Sequence, residues 1–203
     1  MNHEQSNSHD VLWTLLREYN EQPDRRDEIT REVDRRFRRD VALMVLDSSG
    51  FTRTTRLRGI IHFLALLERL RRIVSPIVAR RGGRILKTEA DNIFAVFDSP
   101  AQAVSCADEI LRSLQAANEA LPAADEIYVS IGIGYGSVLL VEPDEMYGDE
   151  MNLTCKLGED LARRGEVLLT PTAHANLGES NYRFEELNFT ISGVDVVGYR
   201  VRQ

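Results

Sequence analysis

Hydrophobic positions recur along the chain with two periods, and the switches between them mark its elements. After nine polar residues, expected to be disordered, Val11, Leu12, Leu15, Leu16 and Tyr19 fall on one helical stripe that Pro23 stops. From about Arg25 to Arg38 a mostly charged helix is expected, with Ile29, Val33 and Phe37 forming a narrow apolar seam that suits packing against the core or another subunit. The run Val41-Ala42-Leu43-Met44-Val45-Leu46 reads as a buried strand ending in Asp47. A Ser-Ser-Gly-Phe-Thr turn then leads into one long helix, expected from about Leu57 to Arg80, which Arg81-Gly82-Gly83 breaks.

Two short apolar runs, Arg84 to Phe97, surround Glu89-Ala90-Asp91-Asn92 and predict a hairpin. Ser99-Pro100 opens a helix ending near Ala123, after which a glycine-punctuated strand, Ile127 to Tyr135, is expected to pair with Val138 to Val141. The glycines lie inside a strand pattern and do not open a helix, so they suit close approach of another backbone and not a dinucleotide fingerprint. A helix from Asp149 to Arg164, a strand from Gly165 to Thr170, a short helix from Pro171 to Leu177, and strands at Tyr182 to Leu187 and Val194 to Val201 complete the series. The order predicts an α+β layer structure, with helices against one face of a mostly antiparallel sheet.

Composition narrows the picture. With 203 residues and 43% hydrophobic content, one full-sized core is expected, residues 41–203, behind an N-terminal helical extension, residues 1–40. A net charge of −7 argues against a nucleic-acid partner, because the arginines between Arg25 and Arg39 alternate with acids and predict ion pairs on a solvated helix face. No apolar run reaches membrane-spanning length and no signal-peptide core is present, so a soluble, cytoplasmic protein is expected. Cys106 and Cys155 make no disulfide framework, and His3, His9, His62 and His174 have no metal-ligand spacing. Trp13 is expected to anchor the first helix.

Two tips carry the candidate chemistry. A purely structural turn favours Gly, Pro or Asn, whereas the hairpin tip holds Lys87, Glu89 and Asp91. Either Asp47 or Asp91 alone would serve as a strand-ending turn residue; together, at the ends of two core strands, they are what a pair of divalent cations would need.

These two tips, with Tyr147-Gly148-Asp149-Glu150-Met151-Asn152, resemble the catalytic domain of the class III nucleotidyl cyclases, the adenylate and guanylate cyclase family. The matching pieces are Asp47 with Gly50-Phe51-Thr52, Lys87 with Asp91, Gly148-Asp149 with Asn152, and a closing Ile191-Ser192-Gly193 and Gly198-Tyr199-Arg200-Val201. The resemblance runs from about Ala42 to Val201 and implies a ferredoxin-like cyclase fold. It implies two magnesium or manganese ions held by Asp47, Asp91 and the Ser48 carbonyl, a triphosphate whose leaving pyrophosphate meets the turn and helix start at Phe51 and Thr52, and cyclisation at the α-phosphorus. It also implies a homodimer whose sites are shared, with Asn152 orienting the ribose, Lys156 standing at the transition-state cation position, and Lys87 with Glu145 reading the base.

Lysine donates and an ionised glutamate accepts, which matches adenine's N1 and amino group; cytosine shows the same order, while guanine and uracil reverse it. ATP is therefore the expected substrate. Lys156 and Ser130 stand where the family places arginines, and Ala90 where it places glycine. These departures keep two alternatives open: a cyclase making another cyclic nucleotide, including cyclic CMP or cyclic UMP, and a weakly active or inactive cyclase-homology domain that binds nucleotide or dimerises.

Overall fold

A computed structural model of the chain describes residues 7–49, 51–191 and 194–202, and for 51–54, 191 and 194 the backbone alone. Two helices, α1 (His9–Glu21) and α2 (Arg26–Phe37), come first. Their apolar stripes meet each other: Leu12, Ile29, Val33 and Phe37 are buried together against Val141. The charged face of α2 is laced by ion pairs of Arg35 and Arg36 with Glu32 and of Arg38 with Asp34. Two expectations fail here. Asn7 and Ser8 are ordered, since the Glu142 N–H donates to the Asn7 carbonyl at 3.0 Å and Ser8 bridges Glu142. Trp13 is 54% exposed and donates to His9, so Leu12, not Trp13, anchors α1.

The sheet comprises β1 (Arg38–Ser48), β2 (Arg84–Glu89), β3 (Asn92–Phe97), β4 (Val129–Val141), β5 (Glu145–Tyr147), β6 (Val167–Leu169), β7 (Arg183–Ile191) and β8 (Val194–Arg202). Its order is β2-β3-β1-β4-β6-β8-β7, with β5 on β4. The β4–β6 pair is parallel and the others are antiparallel. Strand β1 lies between β3 and β4, which explains why Ala42 to Leu46 are all apolar and all buried.

Helices α3 (Phe51–Arg58), α4 (Ile60–Arg80), α5 (Pro100–Glu119), α6 (Asp149–Cys155) and α7 (Pro171–Ala175) complete the layers. Met44 and Leu46 pack in one core with Leu70 of α4, Ile110 of α5 and Ala173 of α7. Leu43 and Val45 point the other way, into a second core with Phe94 and Met151 of α6. The helices therefore cover both faces, not one, because β4 is stripped of side chains by Gly132, Gly134 and Gly136 where α6 crosses it.

Element ends differ from expectation for local reasons. The helix expected from Leu57 to Arg80 is interrupted by Gly59, whose φ of 84° lies in the left-handed region. The strands at Ile127–Tyr135 and Val138–Val141 are not a hairpin but the single strand β4, since β1 pairs with it from Ser48↔Val129 to Arg38↔Leu139. Residues 139–141 instead turn back onto β5. Helix α5 stops short of Ala123, and the Asn118 amide exchanges two 2.9 Å hydrogen bonds with the Ile127 backbone to close the loop. The helix expected to reach Arg164 ends at Cys155 and continues as a π-helical segment over Lys156–Leu161.

Candidate active site

The site is assembled on the α6 face of the sheet, and glycine makes it possible. A Cβ on Gly132 would lie 2.3 Å from the Thr154 carbonyl oxygen, and one on Gly158 would lie 2.8 Å from the Val45 carbonyl oxygen. Backbone of the α6 segment therefore rests directly on β1 and β4, bringing Glu159 and Asp160 near Asp47.

Asp47 sits at the end of β1, opposite buried Ser130. Asp91 lies in the two-residue turn between β2 and β3, where Ala90 has a φ of 50°. The two tips meet through Ser48, whose Oγ donates to Asp91 Oδ2 at 2.9 Å. Burial, reinforced by the charges of Asp91, Glu159 and Asp160, pushes the Asp47 carboxyl up to about 7. Nearby cations are engaged elsewhere: Lys156 Nζ lies 2.6 Å from Asp160, and Lys87 Nζ lies 3.2 Å from Glu89 and 3.6 Å from Glu145. A half-buried, under-neutralised pair of carboxylates is a hard-oxygen donor set that fits magnesium or manganese. Among the described residues no three His, Cys, Asp or Glu converge on a metal position, so other oxygens, from the Ser48 carbonyl, water or phosphate, would complete the coordination.

Lys87 and Glu145 come from different strands, β2 and β5, and face each other across the sheet with Lys87 over the Phe94 ring at 5.3 Å. Burial lowers the Lys87 pKa, but the hydrogen bond to Glu89 and the charges of both glutamates leave it raised, so it remains a cation. Glu89 is thus a partner of Lys87. Asn152 is exposed on α6, and Lys156 opens the π-helical segment, also exposed. Gly50, Ser192 and Gly193 lie outside the described residues, as do the side chains of Phe51 and Thr52.

No family model matches the chain. "Putative adenylate cyclase 3" of Rhizobium meliloti is 28% identical over 137 residues, covering 68% of this chain and 23% of that protein. The chain thus spans about a quarter of the length of that curated relative. Among solved structures, an adenylate/guanylate cyclase/hydrolase from Silicibacter pomeroyi superposes with a TM-score of 0.71 at 26% identity, covering 81% of this chain and 96% of that one. The chain has the fold of a class III nucleotidyl cyclase domain. The guanylyl cyclase Cya2 shares the fold at a TM-score of 0.70 and 22% identity, over 81% of this chain and 92% of its own.

Sequence reasoning missed residues of this site that depend on tertiary approach. Glu159 and Asp160, in a stretch expected only to be helical, contribute to the field at Asp47. Glu150 and Thr154, four apart on α6, face the bare glycines of β4; alternating Gly132, Gly134 and Gly136 was the available signal that something must fill that face. Among the described residues no helix is long and apolar enough to cross a membrane.

Proposed function

We propose that the protein converts a nucleoside triphosphate, ATP first, to its 3′,5′-cyclic nucleotide and pyrophosphate at sites shared by two copies of the chain. The observation that carries this reading is the junction of two strand ends, Asp47 and Asp91, through the Ser48 hydroxyl. Asp47, Asp91 and the Ser48 carbonyl would hold two magnesium or manganese ions, which when bound supply charge neutralisation at the triphosphate and a more acidic ribose 3′-hydroxyl. Lys87 donates to the base and Glu145 accepts from it, Asn152 orients the ribose, and Lys156 places one positive charge beside the phosphates. The start of α3, Phe51 and Thr52, offers backbone N–H groups to the departing pyrophosphate. In this reading residues 1–40 are an extension to a catalytic domain of 41–203, and the protein works in the cytoplasm.

Incubation of the purified protein with each of the four ribonucleoside triphosphates and manganese, with products identified by mass, tests it. Cyclic AMP as the main product is expected, with CTP the nearest competitor. Preference for GTP or UTP would overturn the roles of Lys87 and Glu145, and unchanged turnover in Asp91→Asn would overturn the metal assignment. Two observations favour a second reading, a domain that binds nucleotide with little turnover: Lys156 already pairs with Asp160, and Ser130 is buried opposite Asp47. Saturable nucleotide binding without product would decide for it.

A further inference from the structure

Strand β4 outruns its parallel neighbour. The Ile131 N–H donates to the Glu166 carbonyl, and the Ile133 carbonyl accepts from the Thr170 N–H; at Thr170 the chain turns into α7. The next donor on that side of β4, the Tyr135 N–H, has lost its strand partner. A side chain takes the place: Glu150 Oε1, from the first turn of α6, accepts from the Tyr135 N–H at 2.9 Å. The same oxygen accepts from Thr170 Oγ1, the hydroxyl that also caps α7 by accepting from the Ala173 N–H at 3.1 Å. Thr154 Oγ1 closes the set by donating to the Glu150 carbonyl at 2.6 Å. A Cβ at Gly134 would stand 2.0 Å from Thr154 Oγ1 and 3.0 Å from Glu150 Oε1, so the strand is bare where this carboxylate arrives.

We propose that Glu150 is the positioning residue of the cyclase reaction: one carboxylate oxygen fastens α6 to β4 and to the β6–α7 junction, and so fixes where Asn152 and Lys156 stand. The proposal rests on the reading of those two residues as ribose- and phosphate-contacting groups. Gly148, at the N-terminus of α6, offers no side-chain cap, so the fastening of this short helix falls to Glu150 and the glycine contacts. One oxygen that accepts from Tyr135 of β4 and Thr170 of the β6–α7 junction holds the helix to two elements at once. A displacement of about 1 Å in a catalytic group can cost about 10²-fold in rate.

The experiment compares full-length Glu150→Ala, Glu150→Gln and Asn152→Ala with their double variant. Glu150→Ala is expected to lower kcat by about 10- to 100-fold with KM changed less than about threefold, because positioning and not ground-state binding is lost. Glu150→Gln keeps an acceptor oxygen at the same reach and should recover kcat to within about threefold. In the Asn152→Ala background the Glu150→Ala loss should shrink, since one of the two groups being positioned is gone. Wild-type kcat in Glu150→Ala, failure of Gln to rescue, or an equal loss in both backgrounds would each overturn the proposal. Should Glu150→Ala not fold, Glu150→Asp, one methylene short of both donors, serves in its place with the same expected split. Hydrogen exchange separates this proposal from the activity it rests on. If the wild type turns over no triphosphate, the cyclase reading fails, while faster exchange at the Tyr135 amide and through α6 in Glu150→Ala still supports the fastening; unchanged exchange there overturns it.

Discussion

At the Ala90–Asp91 turn a β-carbon occupies backbone space that glycine enters without penalty, φ 50°. The left-handed conformation costs a non-glycine residue about 1–2 kcal/mol. Ala90→Gly should therefore raise stability by about 1 kcal/mol, less whatever the more flexible unfolded chain takes back, and equilibrium denaturation in urea would read it. The identity of residue 90 was visible in sequence as a departure from the cyclase pattern, but the conformation demanding glycine was not. Lys156 is the second residue-scale case. Its ammonium is a point charge without the guanidinium fork, and it shares that charge with Asp160 at 2.6 Å. Lys156→Ala is expected to lower kcat more than it raises KM, and Lys156→Arg to raise kcat if a forked donor suits the phosphates; initial-rate kinetics measure both. An unaltered kcat in Lys156→Ala would assign the charge to another group.

Among the elements, those with their own amphipathic rhythm were legible: the seam of α2, the hairpin β2–β3 and the apolar strand β1 lie where the pattern puts them. Elements defined by what rests on them were not. Strand β4 contains Gly136-Ser137, which reads as a turn until the length of β1 is known, and the π-helical segment after α6 depends on Gly158 meeting Gly132 across the layers. Helix α2 also offers a pH test. Hydrogen bonds from Arg35 and Arg36 hold the Glu32 carboxyl down at about 2, below its ordinary 4.5. Because the folded pKa is the lower one, this stabilisation is complete above pH 4.5 and disappears as pH falls through about 2. The pairs are solvated, so Glu32→Gln should lower Tm at pH 7 by only about 2 °C or less. Melting curves of the two proteins should converge near pH 2, and a gap that widens in acid would contradict the assignment.

For the whole molecule, the proposed sharing of sites between two copies has a direct consequence. Asp47→Ala retains Asn152, and Asn152→Ala retains Asp47, so a mixed dimer holds one complete site. Equal mixing under exchange should restore about a quarter of the wild-type rate, the share expected when subunits pair at random in a two-fold dimer. If labelled subunits exchange and no activity returns, each site is built within one chain. The apolar side chains Leu57, Ile60, Ile61 and Leu64, exposed on α3 and the first turns of α4, could not be distinguished in sequence from the buried face of one long helix.

Strand β1 is made early and completed late. Its five buried residues, Ala42 to Leu46, gain one neighbour when β3 arrives at Asn92–Phe97 and the other only with β4, where Asp47 faces Ser130. At a ribosomal rate of about 5–20 residues per second the strand waits on the order of several seconds with an open edge. Such distant pairing also slows refolding, toward the millisecond-to-second range. Nascent chains arrested before Val129 should therefore bind chaperones and sediment, while chains released after Arg202 should not, and slowing synthesis through residues 98–128 should lower the soluble yield without altering a single contact in the finished protein.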